Sequence, residues 1–172
     1  MPLNEREGVL ITCFNRARKR ITGVRNDSFN KHYYAEGLVE IWAAFDAFLA
    51  MKFPAPNNTE MRSLLCLKYQ PIFERWKKSD NYEKSISRVQ ELSPIKDMSP
   101  QNPRKDARLD DKNNLSDILY ASYRVRSNYD HGGKLLEGSG PVTSRNRELI
   151  EHSLRVTYEI LDRILRNEGL AI

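Results

Sequence analysis

Arg126 and His131 stand five positions apart in the stretch YRVRSNYDHGGK, residues 123–134. A guanidinium is permanently charged and presents its donors as a planar fork, whereas an imidazole changes protonation state close to neutral pH. That pairing suits phosphodiester chemistry. One group moves protons, and the other holds the negative phosphate oxygens through the transition state. Five residues on an ideal helix amount to about 140° of rotation. For both groups to reach one point, the helix must therefore end near Asp130. Gly132-Gly133 supplies a break there, because glycine takes positive φ without strain. At a helix C-terminus the macrodipole favours the protonated imidazole. Tyr123, Tyr129 and Lys134 are second-tier candidates, the rings for stacking on bases and the lysine for a phosphate. Each could equally serve packing or solvated surface.

A plainer reading uses the same residues. Arg126 and Asp130 are four apart and could form an ordinary helix-surface ion pair, worth about 0.2–0.5 kcal/mol. His131 would then cap exposed carbonyls. Spacing alone decides little in a chain with 17 arginines, since Arg25 to His32, Arg145 and Arg147 to His152, and Arg124 to His131 also fit R-x(4–6)-H. Only the cluster ending at His131 joins an apolar helix to a histidine at its end and a glycine pair.

The elements that must position these groups are helices, because the apolar spacing follows the helical period and no alternating strand stands out. A first helix is expected over 4–21, with Val9, Leu10, Cys13, Phe14, Ala17 and Ile21 on one face and Gly23 as its stop. A long second helix is expected over 28–52, with an apolar stripe wide enough to be mostly buried. The break PAPNN follows, and Thr59 is the expected N-cap of the third helix. Pro71 removes a backbone donor there, which predicts a kink or split near Tyr69. Asp80-Asn-Tyr-Glu83 resembles a capping box opening a short helix. Residues 94–114 form a long loop of mixed charge, of the kind that is functional or disordered. A further helix is expected over 115–129 and a last one over 143–167. The sum is an all-α fold, an up-and-down bundle of five to six helices in one domain over 1–172.

Composition agrees with a soluble globular protein: 30% of the 172 residues are charged and 40% are apolar. No apolar run approaches the roughly 20 residues needed to cross a bilayer, so no membrane partner is expected. The start MPLNEREGVLITCF lacks the basic opening of a secretory signal, and a cytoplasmic address is the expectation. Cys13 and Cys66 read as buried free thiols. The three histidines, His32, His131 and His152, are scattered and no CxxC or HExxH occurs, so neither a metal site nor a cofactor is expected. Residues 1–31 hold seven Lys/Arg against three Asp/Glu, while the remainder is nearly balanced at 21 against 20. Within this basic N-terminal helix (1–25), Arg16, Arg18, Lys19, Arg20 and Arg25 could meet phosphates, or could form a solvated helix end. His32 and His152 are expected on helix surfaces or at the edge of the core.

Arg126-Ser-Asn-Tyr-Asp-His131-Gly132 resembles the signature of the HEPN superfamily, R-x(4–6)-H at the end of an apolar helix, often written R-N-x-x-x-H-G. The flanking LYASYRVR and GGK, and the early YAEGLVEIWAAFDAFLAM, also look familial. The superfamily comprises small all-α domains of bacterial toxins, phage-defence proteins and some CRISPR-associated ribonucleases. The resemblance implies a two-fold homodimer in which facing helices form one composite cleft. RNA is cut there without metal, by attack of a ribose 2′-hydroxyl on the adjacent phosphate. It assigns Arg126 to phosphate stabilisation and His131 to proton transfer, and it implies a cognate antitoxin or regulatory protein. The polar residue that commonly follows the arginine is Ser127 here, with Asn128 displaced by one position. Gly133 stands where an H-x-Y variant has tyrosine, which argues against neutralisation by modification of that tyrosine. The alternative is a catalytically inactive HEPN-like dimeric module that binds RNA, a nucleotide or a partner protein.

Overall fold

The computed structural model describes residues 3–23, 33–53, 55, 57–95, 106–132 and 144–170, the side chains of residues 3 and 130–132 excepted. Six helices make up the described fold: α1 (Leu3–Thr22), α2 (Tyr33–Lys52), α3 (Asn58–Arg75), α4 (Asp80–Glu91), α5 (Leu115–Gly132) and α6 (Ser144–Asn167). The described residues contain no strand, only an isolated antiparallel bridge between Ile95 and Ala107. Among them, no helix is long and apolar enough to cross a membrane. Residues 24–32, the expected start of the second helix, lie outside the described residues, as does His32.

α2 is the hub, because its sequence is apolar on nearly every side. Leu38, Ile41, Trp42, Phe45, Phe48 and Leu49 are all fully buried, and α1, α3, α5 and α6 each pack on it. A helix that is apolar all round is stable only when covered all round. α6 supplies much of that cover, and its stripe of Leu149, Ile150, Leu154, Ile160, Leu161, Ile164 and Leu165 is buried as the sequence predicts. Gly37 marks a close approach. A Cβ there would stand 2.8 Å from Cδ2 of Leu154 and 3.0 Å from Cδ of Arg20. The missing side chain lets the Arg20 stem lie across α2. Arg20 then binds Glu36 at 2.8 Å and Glu40 at 2.9 Å. These contacts remove Arg20 from the expected phosphate-binding cluster, while Arg16, Arg18 and Lys19 remain exposed. Cys13 and Cys66 are free thiols, but half-buried rather than fully buried. Burial still pushes both up, Cys66 to about 11.

Two helix caps and the interior of α3 differ from their sequence-based expectation. α3 is capped by Asn57, whose side chain accepts from the backbone N–H of Glu60, so the cap precedes Thr59. Asn is as good a capping acceptor as Thr or better, and it comes first in the chain. α3 also runs unbroken through Pro71. The carbonyl that Pro71 cannot serve belongs to Leu67, and both residues lie on the exposed face, Leu67 at 78% exposure. Water can therefore satisfy that carbonyl at little cost. α4 is capped by Ser79, which accepts from the N–H of Tyr82 while its hydroxyl donates to Glu159 of α6 at 2.8 Å.

The expected loop over 94–114 is anchored at both ends. Ile95 and Ala107 exchange backbone hydrogen bonds of 2.7 and 2.9 Å, and Ile95, Ala107 and Leu109 join the core. Arg145 of α6 donates to the carbonyls of Leu92 and Pro94. The apolar residues inside this charged stretch explain the anchoring, and residues 96–105 lie outside the described set.

Glu168, just beyond α6, closes the other end of the bundle. It accepts from Tyr69 at 2.6 Å and binds Lys68 at 2.7 Å and Lys52 at 3.0 Å. Hydrogen bonds from Lys68 and Tyr69 hold its carboxyl down from 4.5 to about 2. Such a depressed carboxyl stabilises the fold fully above its unfolded pKa and loses that contribution as pH falls toward its folded one. Glu168→Gln is therefore expected to lower the urea midpoint by a constant amount at neutral pH. The gap to wild type should close as pH drops from about 4.5 toward 2. A gap that stays constant down to pH 2 contradicts the role given to the carboxylate.

Candidate functional site

α5 carries the sequence candidates, and it extends to Gly132, three residues past the expected end at Tyr129. The glycine pair therefore does not unwind the backbone before His131. Arg126 and His131 both lie on one continuous helix, about 140° apart around its axis. The side chains of Asp130 and His131, and all of Lys134, lie outside the described residues, so the expected Arg126–Asp130 pair does too.

Arg126 faces a different carboxylate. Its Nη1 stands 4.0 Å from Oδ2 of Asp46 on α2, with both side chains about a quarter exposed. Spacing explains the meeting: Trp42 and Asp46 are one turn apart on α2, and Tyr123 and Arg126 are one turn apart on α5. The Trp42 and Tyr123 rings pack edge to face with centroids 5.4 Å apart. Arg62 of α3 lies over the Tyr123 ring at 3.8 Å and near the Trp42 ring at 5.5 Å. The Arg126 guanidinium lies 5.7 Å from the same Tyr123 ring. Three helices thus deliver two guanidinium groups to one tyrosine, with the Asp46 carboxylate beside Arg126.

Burial pushes the Asp46 carboxyl up, against the pull of Arg62 and Arg126. Its Oδ1 is buried and makes no hydrogen bond within the described residues, and the same holds for Nε of Arg62. At 4.0 Å the contact with Arg126 is an ion pair rather than a hydrogen bond. It orients the guanidinium without engaging its donors closely. Two guanidinium groups beside an aromatic face form an arrangement suited to holding an anion next to a ring.

The remaining candidates divide by burial. Tyr123 and Tyr129 are half-buried, whereas Asn128 is buried at 7% exposure. Arg124, which also fits the histidine spacing, is buried and donates to the Tyr120 hydroxyl at 3.0 Å. His152 sits half-buried on α6, its Nδ1 3.2 Å from the Ser85 hydroxyl, at the core edge as expected. Burial lowers its pKa, favouring the neutral ring.

Asp46 and Arg62 were not singled out from sequence. Asp46 did carry a signal, being the one charged residue in IWAAFDAFLAM, residues 41–51. An acid inside a segment that must be buried needs a partner. Arg62 carries none, since α3 shows weak apolar patterning and several exposed charges. The chain is thus an all-helical protein with a carboxylate–guanidinium–aromatic cluster where α2, α3 and α5 meet. Comparison with protein-family models, with curated proteins and with solved structures yields no match.

Proposed function

We propose that this chain is a metal-independent endoribonuclease of HEPN type, cutting RNA at a composite site between two copies, in a toxin or anti-phage defence role. The observation that carries the reading is the placement of Arg126, partly exposed beside Arg62 and Tyr123 on the helix that also bears His131. In the reaction, the ribose 2′-oxygen attacks the adjacent phosphorus and gives up its proton. The bond to the 5′-oxygen breaks, and that oxygen takes a proton, leaving a 2′,3′-cyclic phosphate and a 5′-hydroxyl. His131 handles a proton, and Arg126 stabilises the charge that builds on the non-bridging oxygens. Asp46 positions Arg126, Tyr123 and Tyr129 offer faces for bases, and Lys134 a phosphate contact. Because Arg126 and His131 diverge around one helix, a second copy facing the first is the economical way to surround one phosphate.

The test is cleavage of RNA by purified protein in EDTA. Cleavage that persists in chelator, yields 5′-hydroxyl ends and disappears in Arg126→Ala and His131→Ala supports the enzyme. Equal RNA loss from all three preparations points to contamination and removes the proposal. The contact between Arg126 and Asp46 favours one second reading, a silent HEPN-like module whose arginine is already partly neutralised. RNA or nucleotide binding without cleavage, reduced by Arg126→Ala, identifies that case.

A further inference from the structure

A second candidate site lies at the other end of α5, independent of the arginine–histidine cluster. α3 and α6 scarcely touch each other, although both pack against other helices. The space between them is a cavity of about 420 Å³, lined also by Leu115, the first residue of α5. That volume falls within the roughly 300–1,000 Å³ of small-molecule sites. α3 contributes Tyr69, Ile72 and Phe73 from one helical face, its C-cap contributes Trp76, and α6 contributes Ile160 and Ile164. The walls are apolar and aromatic, and Ile72 remains 37% exposed within them.

The charged residues that line this cavity are arginines. Arg75, Arg163 and Arg166 line it, and among the described residues no carboxylate does. Arg166 is bound by Asp162 at 2.8 Å, and Arg75 donates to the carbonyl of Pro71. Arg163 lies over the Trp76 ring at 5.1 Å, and no carboxylate pairs with it among the described residues. A guanidinium held over an indole by its face still has N–H donors to offer a planar or tetrahedral anion.

We infer that the cleft between α3 and α6 binds a small organic anion, its apolar body lying on Ile72 and Trp76 and its acidic group meeting Arg163. An apolar wall alone fits many occupants, and charge complementarity selects this one. A basic segment or cationic ligand would meet three arginines, and a neutral ligand would leave the Arg163 guanidinium without a counter-charge among the described residues.

The probe is 8-anilinonaphthalene-1-sulfonate, titrated into the full chain and followed by its fluorescence. Saturable binding of one probe per chain is expected, with at least tenfold weaker binding by Arg163→Glu. Its neutral counterpart, N-phenyl-1-naphthylamine, should bind wild type at least tenfold more weakly. Arg163 is exposed, so the variant should fold, and an unchanged near-UV circular dichroism spectrum checks this. Ile72→Trp, which fills the cleft without changing charge, should also weaken the probe tenfold or more. Equal affinity of wild type and Arg163→Glu, equal binding of the neutral counterpart, or uptake that does not saturate each overturns the inference. So does a dimer that Arg163→Glu dissociates, since a second copy would then be the occupant.

Discussion

Alanine at Arg126 is expected to slow chelator-resistant RNA cleavage by about 10²–10³-fold, the usual effect of removing one charge-stabilising donor from a reacting centre. Alanine at His131 is expected to cost about 10²–10⁴-fold, the range for a positioned general acid or base. The measurement is the single-turnover rate of 5′-hydroxyl end formation. The fold should survive the first change, because Arg126 sits at the edge of the core and its pair with Asp46 is part-exposed. Such a pair contributes about 1 kcal/mol or less. Arg126→Lys should not restore the rate, because an ammonium cannot reproduce the bidentate guanidinium contact with two phosphate oxygens. Asp46→Asn keeps the shape of the side chain and removes its charge. It should reduce the cleavage rate less than Arg126→Ala does, since it loosens the guanidinium without deleting it. A rate untouched by Arg126→Ala while His131→Ala abolishes it would deny Arg126 any part in the reaction.

The helices were readable because burial imposes a period on the sequence. α2 and α6 had to be long and covered, given Ile41, Trp42, Phe45 and Phe48 on one and Leu154, Leu161 and Leu165 on the other. Helix ends were less readable, because several residues competed for each. Asn57 and Thr59 both cap well, and so do Ser79 and Asp80; the choice depends on where tertiary packing lets the first turn start. Pro71 misled for a related reason: its local penalty is real, but its consequence depends on whether the freed carbonyl at Leu67 meets water or protein. The candidate cluster was legible along α5 and illegible across helices. Tyr123 and Arg126 could be placed on one face by counting, but no count links them to Asp46 or Arg62. Those contacts exist only because α2, α3 and α5 converge. The helix runs three residues past its expected end at Tyr129, since glycine permits unwinding but does not require it.

The convergence itself rests on Trp42, and Trp42→Ala should be the most destabilising single change near the site. The indole is fully buried, packs on Phe45 and Tyr123, and lies under Arg62. Truncating a buried aromatic to alanine costs about 3–5 kcal/mol, out of a typical total of about 5–15. The urea midpoint should fall accordingly, and the melting temperature by roughly 6–20 °C for a chain of this size. A polar thread adds to the packing. The indole N–H donates to the Ser122 hydroxyl at 3.3 Å, Ser122 is hydrogen-bonded to Thr157, and Thr157 donates to the carbonyl of Ser153 at 2.8 Å. With those directions, the Ser122 hydroxyl donates to Thr157, and each hydroxyl is used once as donor and once as acceptor. Ser122→Ala breaks the thread in the middle, leaving a buried N–H and a buried hydroxyl oxygen unserved, for about 1–3 kcal/mol. Trp42 is one turn from Asp46, and Ser122 is one turn from Arg126, so this thread also fixes how α2 and α5 are offset. If Asp46 and Arg126 owe their meeting to that offset, Ser122→Ala should lower cleavage beyond what its stability loss explains, at temperatures where the variant is fully folded. A destabilised variant with undiminished cleavage would instead show that the two helices hold the site through their apolar contacts alone.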